Sequence, residues 1–137
     1  MSDAYIDADV IVRLLSGDDL DKQARAASLF AKVEQRKLSL TTPLTTIADV
    51  VYVLSSPRLY DLPKTQVAAL LDPLIRLPNF KITSRRMALL ALQLYVTTHV
   101  DFGDALIAAA ARLAGPGTVY SFDHHFDRFG GVERKEP

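Results

Sequence analysis

The 137 residues are enough for one domain, and a hydrophobic content of 49% supplies a core without disulfides or structural metal ions. Sixteen lysines and arginines balance sixteen aspartates and glutamates, which excludes nucleic-acid binding by net charge and leaves it to local patches or metal ions. The absence of cysteine excludes a disulfide framework and a thiolate metal site, and no apolar run is long enough to span a bilayer. Because residues 1–3 also lack a basic leader, we expect a cytoplasmic protein that forms a single domain over residues 1–137.

Short strands alternate with amphipathic helices along the chain. Alternating or buried apolar patterns predict strands over residues 4–6, 38–41, 79–83, 118–122 and 132–134. Helical periodicity covers residues 9–15, 20–34, 43–54, 63–77, 85–96 and 101–113. We expect Thr42 and Ser84 to cap helices, with Pro43 at the first helical position and Pro78 as a helix terminator. This alternation predicts an α/β sandwich around a mostly parallel sheet.

Four aspartates stand where an element begins or where a helix is otherwise apolar, namely Asp7, Asp49, Asp104 and Asp123. If the first strand and the strand over residues 118–122 are neighbours, Asp7 and Asp123 both follow carboxyl ends of parallel strands, where open α/β sheets bind ligands. Carboxylates gathered there repel one another unless protons or cations intervene. We therefore expect Mg²⁺ or Mn²⁺, which prefer oxygen ligands and suit the hydrolysis of phosphodiesters.

Each of these acids also has a purely structural explanation. Asp9, Asp104 and Asp123 are all suited to cap a helix, which is the commoner role for each taken alone. Asp7 follows a strand without being the obvious cap. Asp49 is costly inside an apolar helix unless it reaches water at the edge of the buried stripe.

Neighbouring polar residues are open to similar alternatives. Asp101 and Asp104 share one face at a helix start, where the macrodipole favours negative charge and explains one of them without a metal. Ser121 would point the same way as Asp123 and donate to a phosphate or hold a water, or else serve as a hydroxyl in the strand ladder. We interpret His124 and His125 as surface residues, because adjacent positions rarely face the same ion.

Four segments resemble, in order, the motifs of the PIN-domain ribonucleases, and the chain length is similar to that of VapC-type toxins of VapBC toxin–antitoxin pairs. The segments are residues 5–11 with Asp7, 46–52 with Asp49, 101–109 with Asp104 and 121–126 with Asp123. The resemblance implies a three-layer α/β sandwich in which these four aspartates ligate Mg²⁺ or Mn²⁺, with Asp101 and Ser121 nearby. It also implies an RNA substrate, a homodimer, and an antitoxin whose segment covers the active site.

Two positions depart from the family pattern. Asp49 stands where Glu is common, and its shorter side chain favours binding through water over direct ligation. Asp9 stands where Asn is usual, and its added charge beside the site either strengthens metal binding or weakens the approach of RNA.

We therefore expect a metal-dependent endoribonuclease. The Asp49 departure keeps a catalytically weakened PIN-fold binding module as the alternative. A phosphoacceptor signalling domain is disfavoured, because residues 122–125 lack the lysine it needs after the last strand.

Overall fold

The structure, a computed structural model, describes residues 4–137. Residues 1–3, on which the expectation about a leader was based, lie outside the described residues. The chain groups into two compact units, one extending to Arg85 and the other spanning Arg86–Pro137. Across residues 4–137, no helix has both the length and the hydropathy needed to cross a membrane.

The first unit combines three short parallel strands with four helices. Its strands pair in the order β1–β2–β3 and are β1 (Ala4–Tyr5), β2 (Leu40–Thr42) and β3 (Phe80–Ile82). Its helices are α1 (Ala8–Leu15), α2 (Leu20–Glu34), α3 (Leu44–Ser55) and α4 (Lys64–Ile75). Helix α1 packs against both α2 and α3, so the chain segment after β1 is held by two neighbours.

The core of the first unit is aliphatic with one aromatic pair. Ile11, Ile47 and Leu71 are fully buried. The rings of Phe30 in α2 and Phe80 in β3 meet edge to face, with centroids 5.4 Å apart. Such a pair contributes about 0.5–1.5 kcal/mol beyond its buried area, and here it fixes α2 against the last strand of the sheet.

The second unit contains two helices and a pair of parallel strands. Its elements are α5 (Arg85–Thr97), α6 (Phe102–Ala114), β4 (Gly117–Tyr120) and β5 (Val132–Lys135). The first residue of α5, Arg85, is the last residue of the first unit. A 3₁₀ helix, His124–Arg128, follows β4, and its Phe126 is buried together with Phe129. Helix α6 packs against β4, and a β-carbon added at Gly117 would clash with the Ala111 backbone, so this close approach requires glycine.

The predicted α/β class with parallel strands is confirmed, whereas the condition that the first strand neighbours the strand over residues 118–122 stays a prediction. Within the first unit, β1 pairs in parallel with β2. Strand β4 pairs in parallel with β5. Helices α1 and α2 connect β1 to β2. A short segment that contains the buried Phe126 and Phe129 connects β4 to β5.

The predicted Thr42 cap is wrong, the helix stop before Pro78 is confirmed, and the Ser84 cap stays a prediction. Thr42 is the buried last residue of β2, and its hydroxyl donates to the Ile6 carbonyl at 3.0 Å. The N-cap of α3 is Pro43, which is therefore not its first helical residue. Ser84 has a left-handed φ of 59°, whereas N-caps are normally extended. Helix α4 ends at Ile75 with Arg76 as its C-cap, two residues before Pro78, where a proline that cannot continue the helix is expected.

Candidate functional site

Two aspartates at the start of α6 have different roles. Asp101 is the N-cap, and its carboxylate accepts a hydrogen bond from the backbone N–H of Asp104 at 2.8 Å. The prediction that Asp104 itself caps a helix is therefore wrong, because the extended backbone of Asp101 precedes the first turn. Asp104 lies in that first turn, half-buried, and its carboxylate takes no part in the cap.

A tight turn after β4 places the next acid. The Ser121 hydroxyl accepts a hydrogen bond from the Asp123 backbone N–H at 2.9 Å. Asp123 in turn caps the 3₁₀ helix, because its carboxylate accepts from the His125 backbone N–H at 2.9 Å. The predicted cap role of Asp123 is confirmed. Ser121 also continues the ladder past Tyr120, because its backbone N–H donates to the Lys135 carbonyl at 3.0 Å.

The side chains of Asp104, Asp123 and His125 form a cluster in the second unit. One ligand atom from each lies within 4.8 Å of the others. The imidazole Nδ1 of His125 is 3.1 Å from a carboxylate oxygen of Asp123. Because α6 packs on β4 and only a short connection separates them, the start of the helix lies close to the turn after the strand. Chain connectivity thus brings together acids that are 19 positions apart.

The electrostatics of this cluster disfavour negative charge. Burial raises the pKa of Asp104, and the carboxylates of Asp101 and Asp123 raise it further, while His125 acts in the opposite direction. Two carboxylates and an imidazole are also ligand types that divalent cations accept, so the residues present fit a site for such an ion. Excess negative charge and suitable ligands therefore coincide at the start of α6.

The acids of the first unit occupy other local positions. Asp7 is the N-cap of α1 and accepts from the Val10 backbone N–H at 3.3 Å, so the expectation that it was not the cap is wrong. Its extended backbone, with ψ of 179°, satisfies the geometry that a cap requires. Asp9 lies in the first turn and forms an ion pair with Arg13 at 3.4 Å, so its predicted cap role is wrong.

The acid inside the apolar third helix is accounted for by its position. Asp49 is exposed on α3, whereas its neighbour Val50 is buried. The interpretation that Asp49 lies at the edge of the stripe and reaches water is therefore confirmed. A carboxylate in this position costs the core little, so packing alone does not demand a ligand for it.

Comparison with protein families gives a match over most of the chain. A profile of the PIN domain matches residues 4–132 of the chain. The chain belongs to the PIN domain family. PIN domains are generally metal-dependent nucleases, so membership indicates a nuclease-type function for this one. Among curated proteins, none matches the chain significantly.

Sequence reasoning about this PIN domain did not include His125 among its candidate ligands. His124 and His125 are both exposed, as expected, but their surroundings differ. His124 Nδ1 lies 3.2 Å from the Asp127 carboxylate and 3.0 Å from the Arg134 guanidinium. The sequence feature that could have identified His125 is its position two residues after Asp123. When Asp123 caps a turn, a side chain at that position can contact its carboxylate.

The four expected ligands fall in both units of this PIN domain. Asp104 and Asp123 are brought together within the second unit, whereas Asp7 and Asp49 belong to the first. The set of four aspartates as one site stays a prediction.

Proposed function

We propose that this PIN domain is a metal-dependent endoribonuclease that hydrolyses phosphodiester bonds of RNA. The observation that carries the proposal is the pair of carboxylates, Asp104 and Asp123, within 4.8 Å of each other in a chain of a nuclease family. The raised pKa of Asp104 supports it, because it marks negative charge that a divalent cation would neutralise. Mg²⁺ or Mn²⁺ is the ion that we propose.

The chain's own residues would hold and orient this site. In the proposal Asp7, Asp49, Asp104 and Asp123 are the ligands. A divalent cation supplies, when bound, positive charge that favours the attack of water on a phosphodiester. The Asp101 cap fixes the first turn of α6, from which the Asp104 side chain extends. The Ser121 hydroxyl fixes the backbone of Asp123 in the same way.

Exposed aromatic side chains close in sequence to Asp123 support single-stranded RNA as the substrate. Phe122, directly before Asp123, is 71% exposed, and Tyr120, at the end of β4, is 67% exposed. Unpaired bases stack on such rings, and stacking is worth about 1–3 kcal/mol per base. Since the net charge of the chain is zero, stacking and a bound cation would supply attraction that bulk electrostatics does not.

The proposal extends to a biological role. We propose that the chain is the toxin of a type II toxin–antitoxin system that acts in the cytoplasm as a homodimer and is neutralised by a segment of its antitoxin. The similarity in size and motif order described above supports this role. Induced expression in bacteria tests it: the wild-type chain should arrest growth, and Asp104→Asn should not. Equal growth with both chains would contradict the toxin role.

Cleavage of a labelled single-stranded RNA by the purified protein tests the activity. We expect cleavage with Mn²⁺ or Mg²⁺ and none with EDTA. Asp7→Asn and Asp104→Asn should each abolish cleavage while the circular dichroism spectrum stays that of the wild type. Asp21→Asn is the matched control, because Asp21 is an exposed aspartate in the first turn of α2 and should not affect cleavage.

The outcomes separate the enzyme from the alternative. Equal cleavage by wild type and Asp7→Asn would count against the proposed ligand set. If isothermal titration detects no binding of Mn²⁺ at millimolar concentration, the catalytically weakened binding module replaces the nuclease.

A further inference from the structure

The third member of the cluster in the second unit is a nitrogen ligand. Asp104 and Asp123 contribute carboxylate oxygens, whereas His125 contributes an imidazole. The proposed nuclease chemistry uses carboxylates and assigns His125 no role. His125 nevertheless makes two contacts with one carboxylate oxygen of Asp123. Its backbone N–H donates to that oxygen at 2.9 Å, and its ring Nδ1 lies 3.1 Å from it.

These distances fit ligands that share one ion. Around an octahedral cation with bonds of about 2.1 Å, adjacent ligand atoms lie about 3.0 Å apart and opposite ones about 4.2 Å apart. The 3.1 Å between His125 and Asp123 matches adjacent positions. The Asp104 carboxylate lies within 4.8 Å of both other ligand atoms, a range that includes the adjacent and the opposite spacing.

The neighbouring histidine is a natural comparison. His124 is also exposed, but its ring nitrogen faces Asp127 and Arg134. The Arg134 guanidinium remains protonated under all ordinary conditions and donates to that nitrogen, which leaves its lone pair engaged. Of these two adjacent histidines, His125 is the one that lies with two carboxylates.

We propose that His125 is a direct ligand of the divalent cation and that its imidazole makes the site select transition-metal ions over Mg²⁺. Mg²⁺ prefers oxygen and retains its waters, whereas imidazole binds transition ions with affinity rising from Mn²⁺ to Co²⁺. The inference rests on the proposed function only in sharing Asp104 and Asp123 as ligands. It adds a residue and an ion preference that the four aspartates alone would not give.

Isothermal titration of the full chain with Mg²⁺, Mn²⁺ and Co²⁺ alone tests this selectivity. His125→Gln replaces the ring nitrogen by an amide that offers an oxygen. We expect the affinities for Mn²⁺ and Co²⁺ to fall at least about tenfold, since loss of even a ligand's supporting partner costs 10–100-fold. The affinity for Mg²⁺ should stay that of the wild type. His124→Gln, the matched control, should leave all three affinities unchanged.

Pulsed electron paramagnetic resonance of bound Mn²⁺ gives a readout that does not involve RNA. The wild type and His124→Gln should show coupling to an imidazole ¹⁴N, and His125→Gln should lack it. Unchanged Mn²⁺ and Co²⁺ affinities in His125→Gln, or a wild-type spectrum without ¹⁴N coupling, would overturn the inference. A chain that cleaves RNA without ¹⁴N coupling would refute this ligand alone, whereas coupling without any cleavage would refute the nuclease proposal alone.

Discussion

The two aspartates that begin α6 should have opposite effects on stability, although they are only three residues apart. Asp101 stabilises the helix as its N-cap, whereas Asp104 places a half-buried charge beside two other carboxylates. We predict that Asp104→Asn raises the stability of the metal-free protein and that Asp101→Ala lowers it.

The sizes follow from the geometry. Two unit charges within 4.8 Å of each other in water-like surroundings repel by at least about 1 kcal/mol. Asp101 and burial add to this cost for Asp104, and the α6 dipole offsets about 0.3–1 kcal/mol of it. We therefore expect a gain of up to about 1 kcal/mol for Asp104→Asn, and a loss of about 1 kcal/mol for Asp101→Ala.

Thermal unfolding with EDTA and with Mn²⁺ measures both effects. For a chain of this length, 1 kcal/mol corresponds to about 4 °C in Tm. Mn²⁺ at 100 times its Kd should stabilise the wild type by about 2.7 kcal/mol, and this gain should be lost in Asp104→Asn. A lower Tm for Asp104→Asn than for the wild type in EDTA would refute the argument that the carboxylate charges repel.

Three further variants test the fold and the first unit. Thr42→Val should lower the free energy of unfolding in urea by about 1 kcal/mol, because the hydroxyl bond to the end of β1 is lost, and an equal loss in exposed Thr45→Val would contradict this. A hydrogen bond from Tyr60, and to a smaller extent one from Ser16, lowers the pKa of Asp18. The stability that these bonds contribute is therefore present above pH 3.8, the ordinary pKa of the group, and is lost as the pH falls through the folded-state pKa. Tyr60→Phe should therefore be less stable than the wild type at neutral pH, with a difference that shrinks in acid unfolding, and a difference independent of pH would refute this. Asp49→Ala should raise the free energy of unfolding in urea by about 0.5 kcal/mol, since alanine is the better helix former. The same variant should lose RNA cleavage, and retained cleavage would remove Asp49 from the ligand set.

Helices were predictable because their apolar periodicity is local. The residues expected at 20–34 and 43–54 form α2 (Leu20–Glu34) and α3 (Leu44–Ser55) almost as predicted. Helix starts were harder, because backbone geometry decides which of several suitable residues becomes the cap. In the segment from Asp7 to Asp9, the extended residue is Asp7, and from Asp101 to Asp104 it is Asp101.

Strand partners and the third ligand lay beyond local pattern. Nothing in the composition of β1 identifies β2 as its partner, since pairing depends on how the connecting helices pack. The approach of His125 to Asp123 depends on a 3₁₀ turn that periodicity does not reveal. The acids Asp104 and Asp123 were predictable as candidates because both stand at element boundaries.

Anomalous diffraction from a crystal soaked in Mn²⁺ tests the central claim, that the acids at the start of α6 and after β4 bind a divalent cation, most directly. The account predicts an anomalous peak within bonding distance of the Asp104 and Asp123 carboxylates, which is lost in Asp104→Asn. Full occupancy of Mn²⁺ elsewhere on the protein, with no peak between these two aspartates, would contradict it.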